Sequence, residues 1–112
     1  MNNPTRYYSS KQEKRVAKVV NGKQVSNSGA TKFDKGDVKN DNWLIECKTC
    51  TSAKTSMTIK KEWLEKNKEE AFAMRKSYSA LAFDFGQKEN YFIIDERTFK
   101  TLVQALEKEE TL

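Results

Sequence analysis

Asp37, Glu46 and Lys48 are the residues of this chain whose types and spacing could do chemistry together. They lie in the stretch "KGDVKNDNWLIECKT", where an apolar run, Trp43-Leu44-Ile45, leads into Glu46 and Lys48. Strand side chains alternate faces, so Leu44, Glu46 and Lys48 share one face while Trp43, Ile45 and Cys47 share the other. Asn40 and Asp41 are turn residues, and a two-residue turn there predicts the pairs Lys39–Asn42, Val38–Trp43 and Asp37–Leu44. Asp37 is then diagonal to Glu46, ~7–8 Å away at the backbone, within converging distance for long side chains. Two carboxylates meeting at one point repel unless a cation or a proton lies between them. A divalent metal that prefers oxygen, Mg²⁺ or Mn²⁺, meets that need. Lys48 projects from the same face, where it could position a water or neutralise charge developing beside the metal. The alternative is plain: Glu-x-Lys on the polar face of a hairpin is also an ordinary surface pattern.

The chain has no histidine. Serine–histidine and cysteine–histidine nucleophile pairs, histidine zinc sites and nucleases with a histidine base are therefore excluded. "CKTC" invites a zinc reading, but four ligands are needed and no second cysteine pair exists. Cys47 alternates with the polar-face residues and is expected to point into the core. Catalysis, if present, must run on carboxylates, lysine and a metal.

A length of 112 residues suits one domain with a core, and 33% charged with 37% hydrophobic residues suits a folded globular chain. No apolar run approaches the ~20 residues needed to span a bilayer. The start, "MNNPTRYYSS", lacks the apolar stretch of a signal peptide, so a cytoplasmic location with reduced thiols is expected. The net charge is +5, and residues 1–50 hold all of it: ten Lys/Arg against five Asp/Glu, whereas residues 51–112 hold eleven of each. Charge segregated in this way suggests a polyanionic partner, nucleic acid being the commonest, although surface lysines also serve solubility. Lys11, Lys14, Arg15, Lys18, Lys23, Lys32 and Lys35 are the candidate phosphate contacts. Phosphate contacts position DNA without reading its sequence.

The elements that must position these residues follow from pattern and turn signals. Residues 1–8 read as a loose arm. Ser9 or Ser10 can cap a helix to about Val20, with Val16, Val19 and Val20 as its stripe. A short strand fits near Gln24–Ser26, then strands at Gly36–Lys39 and Trp43–Thr49. The pattern is helical from Ile59 to Lys76, with Ile59, Trp63, Phe72 and Met74 as the larger apolar members. Trp63 reads as core or interface in preference to a base-stacking platform. "SALAFDFG" and "NYFIID" read as two further strands. "RTFKTLVQALEKEE" closes the chain as an amphipathic helix with Phe99, Leu102, Val103 and Leu106 facing inward. The expected class is α/β (α+β), a mixed sheet flanked by helices in the order α-β-β-β-α-β-β-α.

"GDV" followed by "LIECKT" resembles the PD-(D/E)XK nuclease superfamily: an Asp, a short hairpin, then Glu-x-Lys on the next strand. The family's usual proline before the Asp is Gly36 here. Within the superfamily the chain resembles the small Holliday-junction resolvases of archaea and bacteriophages. These have an early helix bearing a glutamate, a loop rich in Ser and Gly, the hairpin, and "K-T" at the catalytic lysine. The corresponding features are Glu13 in "SKQEKRVAKVV", "SNSGA", and Thr49 after Lys48; "ALAFDFGQKENYFIID" also resembles their strand pair. The likeness covers roughly residues 9 to 95.

The resemblance implies a restriction-endonuclease-like fold across 1–112. It also implies an Mg²⁺-dependent endonuclease, with Mn²⁺ as a substitute, that cleaves branched DNA in recombination and repair. Asp37, Glu46 and the backbone carbonyl of Cys47 would hold the metal, and Glu13 would complete the acidic site directly or through water. Lys48 would orient the attacking water or help deprotonate it. Ser28 would contact the scissile phosphate, a place Ser26 could also fill. In-line hydrolysis would follow, the metal lowering the water's pKa and screening the transition state. A four-way junction needs two related cuts, so a C₂ homodimer is expected, drawing on Trp63, Phe72, the Phe92–Ile94 strand and the Phe99–Leu106 helix. The rival readings are a nuclease of this fold acting on duplex or flapped DNA, and a catalytically silent DNA-binding module.

Overall fold

In the computed structural model, which describes residues 5–25 and 37–110, the element order is the one the sequence pattern predicts. It runs α1 (Thr5–Val19), β1 (Lys23–Gln24), β2 (Asp37–Lys39), β3 (Trp43–Lys48), α2 (Lys61–Ala73), β4 (Tyr78–Phe83), β5 (Tyr91–Ile93) and α3 (Glu96–Glu110). The fold is mixed α+β, a five-stranded open sheet in the order β1-β2-β3-β4-β5. Neighbouring strands are antiparallel except β3 and β4, which run parallel because α2 carries the chain back between them.

α1 begins earlier than the serine caps suggest, so residues 5–8 are helix and not arm. Lys11 Nζ sits 4.7 Å above the Tyr7 ring, an i,i+4 cation–π contact that supports the first turn. The helix ends where Asn21 takes a left-handed conformation, φ 52°, and the Gly22 N–H donates to Ala17 O at 2.8 Å. The same closure ends α2: Arg75 has φ 60° and the Lys76 N–H donates to Ala71 O at 2.8 Å.

The two sheet faces are covered from opposite sides. On one, Val16 of α1 packs with Val38, Ile45, Ala80 and Ala82, joined by Ala17, Val20, Trp43, Cys47 and Ile94. Cys47 thus packs against the core, as the alternation predicts. On the other face lie buried Leu44 and Leu81, with Asn67 and Ala71 of α2. Asn67 Nδ2 donates to Leu44 O at 3.5 Å.

Helical periodicity chose some wrong residues for burial. Val19 is turned to water, and its place in the α1 stripe is taken by Gln12, one turn before Val16. α2 spans 61–73, not 59–76, and Phe72 is 85% exposed because Asn67 and Ala71 occupy its buried line. In α3 the Phe99, Leu102 and Leu106 side chains are exposed, not inward. α3 starts on a cap: Asp95 Oδ1 accepts the Thr98 N–H at 2.8 Å. Between β4 and β5, Gly86 has φ 86°, and a Cβ there would stand 2.6 Å from Ser52 O, so this turn docks closely on residues 52–53. No helix among the described residues is long and apolar enough to cross a membrane.

Candidate active site

The hairpin that carries the acids turns one residue later than the sequence pattern implies. Asn40 Oδ1 accepts the N–H groups of Asn42 at 3.0 Å and Trp43 at 2.8 Å, and the Asn40 N–H donates to Trp43 O at 3.1 Å. This side-chain turn makes Asp41 and Asn42 the tip and draws Asn40 onto the strand end. Lys76 Nζ secures the tip by donating to Asn40 O at 2.7 Å. The pairs are therefore Asp37–Glu46, Val38–Ile45 and Lys39–Leu44, correcting the expected register. Asp37 does not lie diagonal to Glu46. It stands directly opposite, where Cα atoms are ~4.5–5.5 Å apart and side chains share a face.

Both acids are withdrawn from water, Asp37 at 3% exposure and Glu46 at 9%. Lys48, two residues along the same face, places Nζ 3.3 Å from Glu46 Oε2. The same ammonium lies 4.4 Å above the Trp63 ring, with Lys60 Nζ at 5.9 Å from it. Trp63 is thus half-buried as a seat for Lys48, not a core residue. An aromatic face and a carboxylate together fix the lysine head beside the acidic pair.

Two further side chains hold the end of β3, and motif reading missed both. Gln12 is fully buried on α1, and its Nε2 donates to Lys48 O at 2.7 Å and to Asn90 Oδ1 at 3.1 Å. Asp84, 1% exposed, accepts from Arg15 at 3.0 Å, Thr49 Oγ1 at 2.8 Å and the Gly86 N–H at 3.0 Å. It thereby clasps α1, the residue after Lys48 and the β4–β5 turn at one point. Each had a signal in the sequence: Gln12 is four residues before Val16, and Asp84 interrupts "LAFDFG".

The remaining candidates are placed less directly. Glu13 is on α1, which covers the opposite sheet face, and accepts from Gln24 Nε2 at 3.1 Å. Burial pushes the Cys47 thiol far above its ordinary pKa, and the carboxylates of Glu13, Asp37, Glu46 and Asp84 raise it further. Ser28 and the alternative Ser26 lie outside the described residues, as do Lys32 and Lys35. Lys11, Lys14, Lys18 and Lys23 are exposed, and Arg15, partly exposed, donates to Asp84.

No three Cys, Asp or Glu side chains among the described residues converge to hold a metal ion. The donors at hand are the two facing carboxylates, to which the resemblance would add the backbone carbonyl of Cys47, next after Glu46. That set suits Mg²⁺, which is commonly held by one or two carboxylates and keeps several waters. Compared with protein-family models, curated proteins and solved structures, the chain gives no match.

Proposed function

We propose that this chain is an Mg²⁺-dependent endonuclease of the PD-(D/E)XK type that cleaves branched DNA, four-way junctions first, as a homodimer. One observation carries the reading: Asp37 stands directly across from Glu46, and Lys48 is held 3.3 Å from that glutamate. An antiparallel hairpin leading through a helix into a parallel strand agrees with the restriction-endonuclease-like fold that the resemblance implies.

In this reading Asp37, Glu46 and the Cys47 carbonyl would hold the cation, with Glu13 tuning the field from α1. When bound, a divalent cation supplies a lower pKa for water and charge to offset the phosphoryl transition state. Lys48 orients a water toward the phosphodiester by donating to it, its head kept in place by Glu46 and Trp63. Gln12 and Asp84 fix the backbone on which Glu46 and Lys48 ride. The exposed lysines of α1 and β1 lie along a charged surface for the DNA backbone.

A second reading is a DNA-binding module of the same fold without catalysis. A third is a nuclease of the same kind acting on duplex or flapped DNA. One experiment separates them: a labelled four-way junction, a flap and a matched linear duplex, each with Mg²⁺ or EDTA. Junction cleavage that EDTA abolishes supports the proposal. Equal cutting of all three substrates points to the general nuclease, and binding without cutting points to the silent module.

A further inference from the structure

The crevice beyond the carboxyl ends of the parallel strands β3 and β4 holds more hydrogen-bond donors than acceptors. A cavity of about 200 Å³ there is lined by Tyr8, Lys11 and Arg15 of α1, by Thr51 after β3, and by Asp84 and Lys88 after β4. The three α1 residues are three and four positions apart and so form one stripe of the helix. Asp84 is the only carboxylate among the described residues lining the cavity, and both its oxygens are occupied. Oδ1 accepts from Thr49 Oγ1 and the Gly86 N–H, and Oδ2 accepts from Arg15. Nearby, Glu13 accepts from Gln24 and Glu89 from the Tyr91 hydroxyl. A guanidinium has five N–H donors and an ammonium three, and neither can accept. Arg15 gives one N–H to Asp84, and its Nε–H is buried with no acceptor among the described residues. The Lys11 and Lys88 side chains are exposed. Crevices outside the carboxyl ends of parallel strands are also where open sheets bind ligands.

We propose that this crevice binds a phosphate monoester. That group offers acceptors, which the lining lacks. Charge selects the monoester over a diester. Lys11, Arg15 and Lys88 stand against Asp84 alone, which leaves an excess of two positive charges. A phosphate monoester carries about −1.5 to −2 near pH 7, whereas a diester carries a single charge. The Tyr8 and Thr51 hydroxyls supply further donors to its oxygens. The cavity suits the phosphate group itself and leaves the rest of the ligand outside. A free nucleotide and the phosphorylated end of a DNA strand both carry this chemistry. Asp37, Glu46 and Lys48 project from the sheet face opposite α1, so the inference stands without the nuclease reading.

Calorimetric titration of the full chain in EDTA tests it, since no metal is then bound and no strand is cut. Deoxyadenosine 5′-monophosphate should bind and deoxyadenosine should not. Lys11→Ala and Lys88→Ala should each weaken the monophosphate about tenfold, the scale of one charge-assisted hydrogen bond, with unchanged circular dichroism. Lys100→Ala removes the same charge from an exposed position on α3 and should change nothing. Affinity should fall below pH ~6, where the phosphate regains its second proton while the lysines and Arg15 keep their charge. A second arm compares a 5′-phosphorylated single strand with its 5′-hydroxyl form. Tighter binding of the phosphorylated strand assigns the site to a DNA end. Equal binding of the two strands, with the monophosphate still bound, assigns it to a free nucleotide. If neither phosphorylated ligand outbinds its hydroxyl form, or if Lys100→Ala costs as much as Lys88→Ala, the proposal is overturned.

Discussion

Asp37 and Glu46 face each other across the β2–β3 ladder with almost no contact with water. Two buried carboxylates in that relation repel unless a cation or proton sits between them. Asp37→Asn or Glu46→Gln should therefore abolish Mg²⁺-dependent cleavage while leaving DNA binding intact or tighter, since each removes negative charge near phosphate. Mg²⁺ alone should raise the unfolding temperature of the wild type, by preferential binding to the native state, and not that of either variant. Cleavage equal to wild type in either variant would remove these acids from the site.

Lys48 is held by two groups, which gives it a testable geometry. Lys48→Ala should lower the cleavage rate by more than tenfold, or ~1.4 kcal/mol of barrier, with little effect on junction affinity. Trp63→Phe keeps an aromatic face and should retain most activity, whereas Trp63→Ala should slow turnover without changing the Mg²⁺ requirement. Single-turnover rates decide; a Lys48→Ala effect smaller than tenfold would make it a surface charge.

The Asp84 clasp predicts a large stability effect at a residue outside the acidic pair. Asp84→Ala leaves Arg15, Thr49 and the Gly86 N–H without their shared acceptor. The cost should be about 2–4 kcal/mol, below the full buried-pair range because Arg15 is partly solvated. Urea unfolding measures it. A loss under about 1 kcal/mol would show that water replaces the clasp.

Asp95 ties acid stability to the start of α3. Lys68 Nζ, 2.7 Å away, and the Thr98 N–H hold its carboxyl well below the usual aspartate range. A depressed native pKa stabilises the fold above the unfolded value near ~4 and loses that contribution as pH falls further. The urea midpoint should accordingly decline below about pH 4, and Asp95→Asn should be less stable near neutrality with a shallower acid decline. Parallel pH profiles of the two proteins would contradict this.

The sequence by itself determined the element order, because each element announces itself locally. Alternation marked β3, the hydrophobic stripe marked α1 and α3, and turn residues separated them. It also singled out Asp37, Glu46 and Lys48, since an acid and a Glu-x-Lys flanking an apolar hairpin need no long-range information. Their register was out of reach. Whether Asn40 belongs to the turn or to the strand rests on its Oδ1 accepting from Asn42 and Trp43, a contact that moves Asp37 from diagonal to directly opposite Glu46.

Burial was likewise decided by tertiary structure. Periodicity says which residues share a helix face, but not whether another element covers that face, so Phe99, Leu102 and Leu106 were assigned inside and lie outside. Gln12 and Asp84 show the converse. Polar side chains read as surface in a local window, and they are buried because groups 36 and 69 residues away supply their hydrogen bonds. Such partners are brought together by folding alone, and no spacing along the chain encodes them.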